Sequence, residues 1–237
     1  MDIYTQNFTV TLTDVGENNT ITNKGFLRIL QEIASIHSNT VGFGLNTAQK
    51  TGYFWMVLNW KLEVFSRPCW NSSLKVSTWC PDISHIYFYR DFEIFDDSGK
   101  LVAIASSKWI LFDFVKHSVV RIDKNLQVKY LKPVNRHVFE AKESKLLEPK
   151  NLEFMYEYVV ARRDLDSNHH VNNLNYIDYA YEVLPEDVDF NHLEVSYKHE
   201  AKLGDILNIF YVKVDDVHYV VIKNQIDGTL HCIIKLY

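Results

Sequence analysis

Arg162-Arg163-Asp164-Leu165-Asp166-Ser167-Asn168-His169-His170-Val171-Asn172-Asn173 leads into a helix-like pattern, and it has a counterpart 150 residues earlier. That counterpart reads Thr13-Asp14-Val15-Gly16-Glu17-Asn18-Asn19-Thr20-Ile21-Thr22-Asn23. Moved by 150, residues 10–32 meet identical residues at Val10/Val160, Asp14/Asp164, Asn18/Asn168, Asn23/Asn173 and Glu32/Glu182, five identities in 23 positions. Ile21/Val171, Phe26/Tyr176 and Leu27/Ile177 are conservative pairs. An internal repeat constrains a fold more than single propensities do, because each copy must be one supersecondary unit.

Outward from the repeat, each copy has the same order of elements. In the first, Phe26, Ile29/Leu30, Ile33 and Ile36/His37 recur at three- and four-residue spacing, which predicts a helix over 24–41. Alternating stretches follow at 74–80 and 86–94. Asp97-Ser98-Gly99 then signals a turn, and a long returning strand covers 101–114. In the second copy, 154–160 reads as a strand. A helix is predicted over 173–184, with Leu174, Ile177, Tyr181 and Leu184 on one stripe and Pro185 ending it. Strands are predicted at 192–201, 206–215, 217–226 and 230–237. The expected architecture is α+β, two copies of a module in which an antiparallel sheet wraps one long helix. The first copy spans 1–125 and the second 151–237. The segment 126–150, with Pro133, Pro149 and mixed charge, connects them.

Bulk properties exclude several function classes. A net charge of −5 gives no global electrostatic footprint for nucleic acid. Three cysteines, Cys69, Cys80 and Cys232, show no CxxC spacing, so neither a disulfide framework nor a zinc site is expected. All three fall in strand-like segments, where buried inert thiols are the expectation. No apolar run approaches the ~18 residues that a spanning helix needs, and residues 1–10 show no signal-peptide pattern. The expectation is a cytoplasmic chain with no membrane, metal or cofactor.

The chemistry is expected where the copies differ. Thr20 stands where His170 stands, and Gly16 where Asp166 stands. A histidine and a carboxylate before a helix can move a proton while backbone amides at 171–173 bind a developing oxyanion. Asp and Asn before a helix are also ordinary caps. Residue types alone leave both readings open.

The run Asp166-Ser167-Asn168-His169-His170-Val171-Asn172-Asn173-Leu174-Asn175-Tyr176 resembles the D-x-N-x-H-V-N-N-x-x-Y signature of the fatty acyl-ACP thioesterases of plants and bacteria. Arg162-Arg163 and the stretch Leu193-Glu194-Val195-Ser196-Tyr197-Lys198-His199-Glu200 fit the same family. The resemblance implies a tandem (double) hotdog fold and hydrolysis of fatty acyl-ACP in fatty acid biosynthesis. It also implies Asp166, Asn168, His170 and Glu200 as active-site residues. A cysteine often follows that glutamate in the family. Ala201 stands here, so a Cys–His mechanism at that position is ruled out. Direct attack by water is expected, with Glu200 or His170 as base. Strand parity puts Glu200 with Glu194, Ser196 and Lys198 on the polar side, so a merely solvated Glu200 stays open.

The resemblance places the acyl slot in the first copy, with Phe26, Ile29, Ile33 and the segment 54–60, Trp55 included, as candidate walls. Acyl carrier protein is acidic, so Arg162, Arg163, Lys198 and Lys202 are candidates to receive it. A CoA carrier would use similar positive charge. A homodimer is compatible with such a module. A hotdog acyl-CoA thioesterase, a dehydratase, and an acyl-binding protein without turnover compete with the acyl-ACP reading.

Overall fold

The apolar stripe of the first copy forms α1, Asn23–Thr40, whose Phe26, Leu27, Ile29, Leu30, Ile33 and Ala34 are buried. Removing each of the larger side chains from water contributes about 1.5–3 kcal/mol. Thr22 starts the helix by accepting a hydrogen bond from the Gly25 N–H at 3.0 Å. The computed structural model describes residues 3–122, 134, 136–140, 145–186 and 189–237. It divides into two compact units, Met1–Lys142 and Glu143–Tyr237. Within the expected connection, residues 126–133, 135 and 141–144 lie outside the described ones.

The first unit contains β1 (Tyr4–Thr9), α1, a short α2 (Leu45–Thr51), β2 (Tyr53–Val64), β3 (Ser73–Trp79), β4 (Phe88–Asp96), β5 (Leu101–Asp113) and β6 (Ser118–Val119). The strands pair antiparallel in the order β1-β3-β4-β5-β2, with β6 on β5. α1 packs on this sheet; Tyr4 of β1, for example, stacks on His37 at 5.0 Å. The twelve-residue β2 was not among the expected strands, and its register explains why. A bulge between Val57 and Asn59 resets the alternation, so only Trp60, Leu62 and Val64 show the period of two.

The second unit contains β7 (Glu153–Val159), α3 (Asn175–Tyr181), β8 (His192–Tyr197), β9 (Ile206–Val214), β10 (Val217–Asn224) and β11 (Leu230–Leu236). Its order, β7-β9-β10-β11-β8, repeats that of the first unit strand for strand. The helix is shorter than the pattern over 173–184 predicts. At its start, Asn172 holds residues 173–174 in a turn: its Oδ1 accepts the Leu174 N–H at 3.0 Å and its carbonyl accepts the Asn175 N–H at 2.9 Å. At its end, Val183 and Leu184 bond back to Ala180 and Tyr181 in the tighter three-residue pattern before Pro185. The buried stripe is therefore Tyr176, Ile177, Ala180 and Leu184, while Tyr181 is exposed.

A glycine accounts for part of the difference at the helix starts. A Cβ on Gly25 would lie 2.4 Å from the Asp14 carbonyl oxygen, so only glycine lets α1 begin so close to it. The matching Asn175 has a side chain, whose Nδ2 instead donates to the Asp164 carbonyl at 2.9 Å.

Candidate active site

The motif loop is assembled from its own backbone outward. Asp164 ends a 3₁₀ turn, Arg162–Asp164, and is buried. Its Oδ2 accepts the Ala161 N–H at 2.7 Å and the Tyr158 hydroxyl at 2.8 Å, and its carbonyl accepts the Asn172 N–H at 2.8 Å. Asp164 thus pins both ends of the loop, a role that its identity with Asp14 hinted at. Inside the loop, the Asp166 N–H donates to the His170 carbonyl at 2.8 Å. Asp166 Oδ1 accepts the N–H of Asn168 at 2.8 Å and that of His170 at 3.3 Å. His169 takes a positive φ of 63° at the tip, an uncommon conformation outside glycine. Asp166 therefore fixes the backbone that carries His170. The Asn168 carboxamide has no hydrogen-bond partner among the described residues.

Across the loop, the Val171 N–H donates to the Ala201 carbonyl at 2.9 Å, and His170 bridges to Lys202. This pairing brings Glu200 to the imidazole, with Nε2 and Oε1 3.9 Å apart. The side chains are 22% and 44% exposed. The parity expected for Glu200 does not apply, because β8 stops at Tyr197. Residues 198–200 leave the strand, and the fully buried Ala201 anchors them.

Other expectations separate from this pair. The Val171 and Asn172 N–H groups already donate to Ala201 and Asp164, so of the three expected oxyanion donors only Asn173 has no acceptor among the described residues. Arg162, Arg163, Lys198 and Lys202 are all exposed, and Lys202 pairs with His170 across the loop. Arg163 leans on the Tyr158 hydroxyl at 3.5 Å and lines a separate groove with Tyr156, Asp178, Tyr179 and Glu182. Burial pushes the Cys80 thiol up to about 12 and raises that of Cys232 well above the ordinary thiol value, which keeps both un-ionised. Cys69, expected to be buried, is exposed in the loop after β2.

In the first unit, Trp55 lines a small cavity of about 30 Å³, packing edge-on against Phe88 at 4.8 Å. The contribution of α1 to this cavity comes from Ala34, Ser35 and Ser38. Phe26, Ile29 and Ile33 are instead solid core.

The first unit also shows what the second has in place of a plain turn. The Gly16 N–H donates to the Thr20 carbonyl at 3.0 Å, Asn19 takes φ 58°, and the Ile21 N–H donates to Pro68 at 2.9 Å. These bonds match the loop of the second unit one for one. They align Pro68 with Ala201 and Cys69 with Lys202, so Arg67 aligns with Glu200. Arg67 donates from Nη1 to the Ile21 carbonyl at 3.0 Å and from Nη2 to Asn23 Oδ1 at 2.9 Å.

Comparison with known proteins gives this arrangement a lineage. Residues 1–130 match the acyl-ACP thioesterase N-terminal domain, and residues 147–235 match the C-terminal domain. Among curated relatives, oleoyl-acyl carrier protein thioesterase 2 of Arabidopsis thaliana is 28% identical over 225 residues, covering 86% of this chain and 61% of its own length. The palmitoyl-acyl carrier protein thioesterase of that plant is 25% identical over 222 residues, covering 86% and 54%. The chain thus spans about three fifths or less of the length of these relatives. Among solved structures, an acyl-ACP thioesterase of Bacteroides thetaiotaomicron superposes with a TM-score of 0.81 at 22% identity, covering 99% of this chain and 97% of that one. The 12:0-ACP thioesterase of Umbellularia californica superposes with a TM-score of 0.82 at 19% identity, covering 99% and 96%. The fold is accordingly the tandem hotdog, and the chain belongs to the acyl-ACP thioesterase family.

Proposed function

We propose that the protein hydrolyses the thioester of fatty acyl-ACP, releasing free fatty acid and holo-ACP. The observation that carries this reading is the pair of His170 and Glu200, set 3.9 Å apart on a loop that Asp166 clamps. That separation is too long for a direct hydrogen bond and suits a water held between the two groups. In the proposed step, the water oxygen adds to the thioester carbon while its proton passes to His170 or Glu200. General-base help of this type contributes roughly 10²–10⁴-fold. The Asn173 N–H and the Asn168 carboxamide are the donors that remain for the oxyanion, each worth about 3–4 kcal/mol if aimed at it. Collapse of the tetrahedral adduct breaks the C–S bond, and the thiolate leaves with the proton that the base took up.

In this reading the second unit does the chemistry and the first holds the acyl chain. Lys202, tied to the His170 loop, and the exposed Lys198, Arg162 and Arg163 supply positive charge for an acidic carrier.

The test is thiol release from an acyl-ACP chain-length panel, with acyl-CoA and 3-hydroxyacyl substrates in parallel. Thiol release from acyl-ACP that collapses in both His170→Ala and Asp166→Ala supports the proposal. Unchanged rates in both variants sink it. Enoyl product without free thiol would assign a dehydratase instead, and binding without turnover an acyl-binding protein.

A further inference from the structure

Glu200 lies past the end of β8, so no strand ladder sets the direction of its side chain. A histidine on the neighbouring strand takes over. The carbonyl of His231, the second residue of β11, accepts the Lys198 N–H at 2.8 Å, one step beyond the paired Tyr197 and Cys232. Its Nδ1 reaches one residue further and meets the His199 carbonyl at 3.0 Å. A carbonyl only accepts, so Nδ1 carries a proton and donates it. The His199 carbonyl shares one rigid plane with the Glu200 N–H, so the imidazole fixes the peptide that enters Glu200. On the far side, the buried Ala201 is tied by its carbonyl to the Val171 N–H at 2.9 Å. Glu200 thus hangs between two anchors, with its carboxylate 3.9 Å from His170 Nε2.

The imidazole is costly where it stands. His231 is only 3% exposed, and its Nε2 is buried without a hydrogen-bond partner among the described residues. The first unit shows that the fold does not need it. There Val64 and Ala103 pair as Tyr197 and Cys232 do, and the Val102 carbonyl accepts the Phe65 N–H at 2.8 Å. Val102 therefore stands where His231 stands, just as Arg67 stands where Glu200 does. That strand end closes with backbone bonds alone, the Ser66 N–H also going to Val102 at 3.2 Å. The histidine accompanies the glutamate, and valine serves where there is no glutamate to aim.

We infer that His231 is a positioning residue, holding Glu200 towards His170 through its bond to the His199 carbonyl. This inference rests on the thioesterase reading above and adds a residue to its site. The experiment is a double-substitution cycle in the whole chain, assayed for thiol release from acyl-ACP. His231→Val, which installs the first-unit residue, should lower kcat by about tenfold or more with KM within about twofold, since small misplacements of reacting groups are costly. His231→Leu takes its place should His231→Val not fold. His231→Asn, whose carboxamide can still donate from near the Nδ1 position, should return kcat to within about threefold of the parent. In a Glu200→Gln background, His231→Val should change kcat by less than about twofold. No loss in His231→Val, an equal loss without Glu200, or no recovery in His231→Asn overturns the inference. A readout independent of turnover is the NMR signal of the His170 ring, which His231→Val should move in the direction that Glu200→Gln moves it. If the parent chain cleaves no acyl-ACP, the thioesterase reading falls on its own. An unmoved His170 signal overturns the positioning role in either case.

Discussion

The loops at 14–22 and 164–172 have the same backbone and opposite equipment. Both bond residue 16 or 166 to the carbonyl four residues on, both place a positive-φ residue at the tip, and both donate the N–H of residue 21 or 171 to a second loop. The second unit adds a carboxylate that clamps the loop, an imidazole, and a glutamate facing it. The first has Gly16, Thr20 and Arg67 at those positions, and Arg67 spends two donors on the loop and helix start. The turn is a scaffold that stands without the chemistry. In the proposed function, the chemistry is three side chains laid on it.

The comparison can be broken most severely by exchanging its parts. His170→Thr, which installs the residue of the first unit, should lower kcat on acyl-ACP by about a thousandfold with the melting temperature unchanged. A loss under tenfold would mean that His170 is not the proton carrier. Asp166→Gly should cost less, about 10- to 100-fold, because the imidazole remains but its backbone is no longer held. Asp166→Asn, which can still accept both N–H groups, should recover most of that loss; no recovery would assign Asp166 a direct role through its charge.

Two stability measurements sharpen the contrast at the helix starts. Gly25→Ala should destabilise the protein by about 1–3 kcal/mol in denaturant melts, since its Cβ meets backbone that cannot yield. Asn175→Ala, losing one hydrogen bond, should cost about 1 kcal/mol. Equal losses would remove the glycine explanation for the different helix starts.

The smallest expected effect is pH-dependent. Burial works to raise the Asp14 pKa, but bonds from Arg28 and Thr11 outweigh it and hold the carboxyl below the usual range. A depressed folded-state pKa gives stability that is present above the unfolded carboxylate value of about 4 and is lost as pH falls through the folded value. Arg28→Met should therefore cost about 1 kcal/mol at pH 7, discounted because Arg28 is a third exposed, with the deficit shrinking below about pH 4. A deficit independent of pH would mean that Arg28 acts by packing alone.

How much of this was legible in the sequence follows from where the repeat stays in step. Through residue 32 the offset holds at 150, so the loop, its Asp and His, and the helix start could be read from one copy to the other. Beyond α1 the hydrogen bonds align the copies at an offset of 133, as Val10 pairing with Ser72 and Val160 with Asp205 show. The substitution of Arg67 for Glu200 was hidden by that slip. Glu200 itself looked solvated because alternation was extended past Tyr197, where the strand has already ended. β2 went unread because its bulge cancels the period of two. The early end of α3 depends on turn bonds that no stripe records.

The slip has a consequence of its own. α1 runs nine residues beyond Gln31, the counterpart of the last residue of α3. Ala34, Ser35 and Ser38 belong to that surplus, and they are all that α1 gives to the cavity. One copy was stretched and the other was armed. Under the proposed function, capacity and reactivity are then separately heritable: an insertion or deletion in the surplus turns can reshape the cavity without touching a single atom of the loop that carries His170.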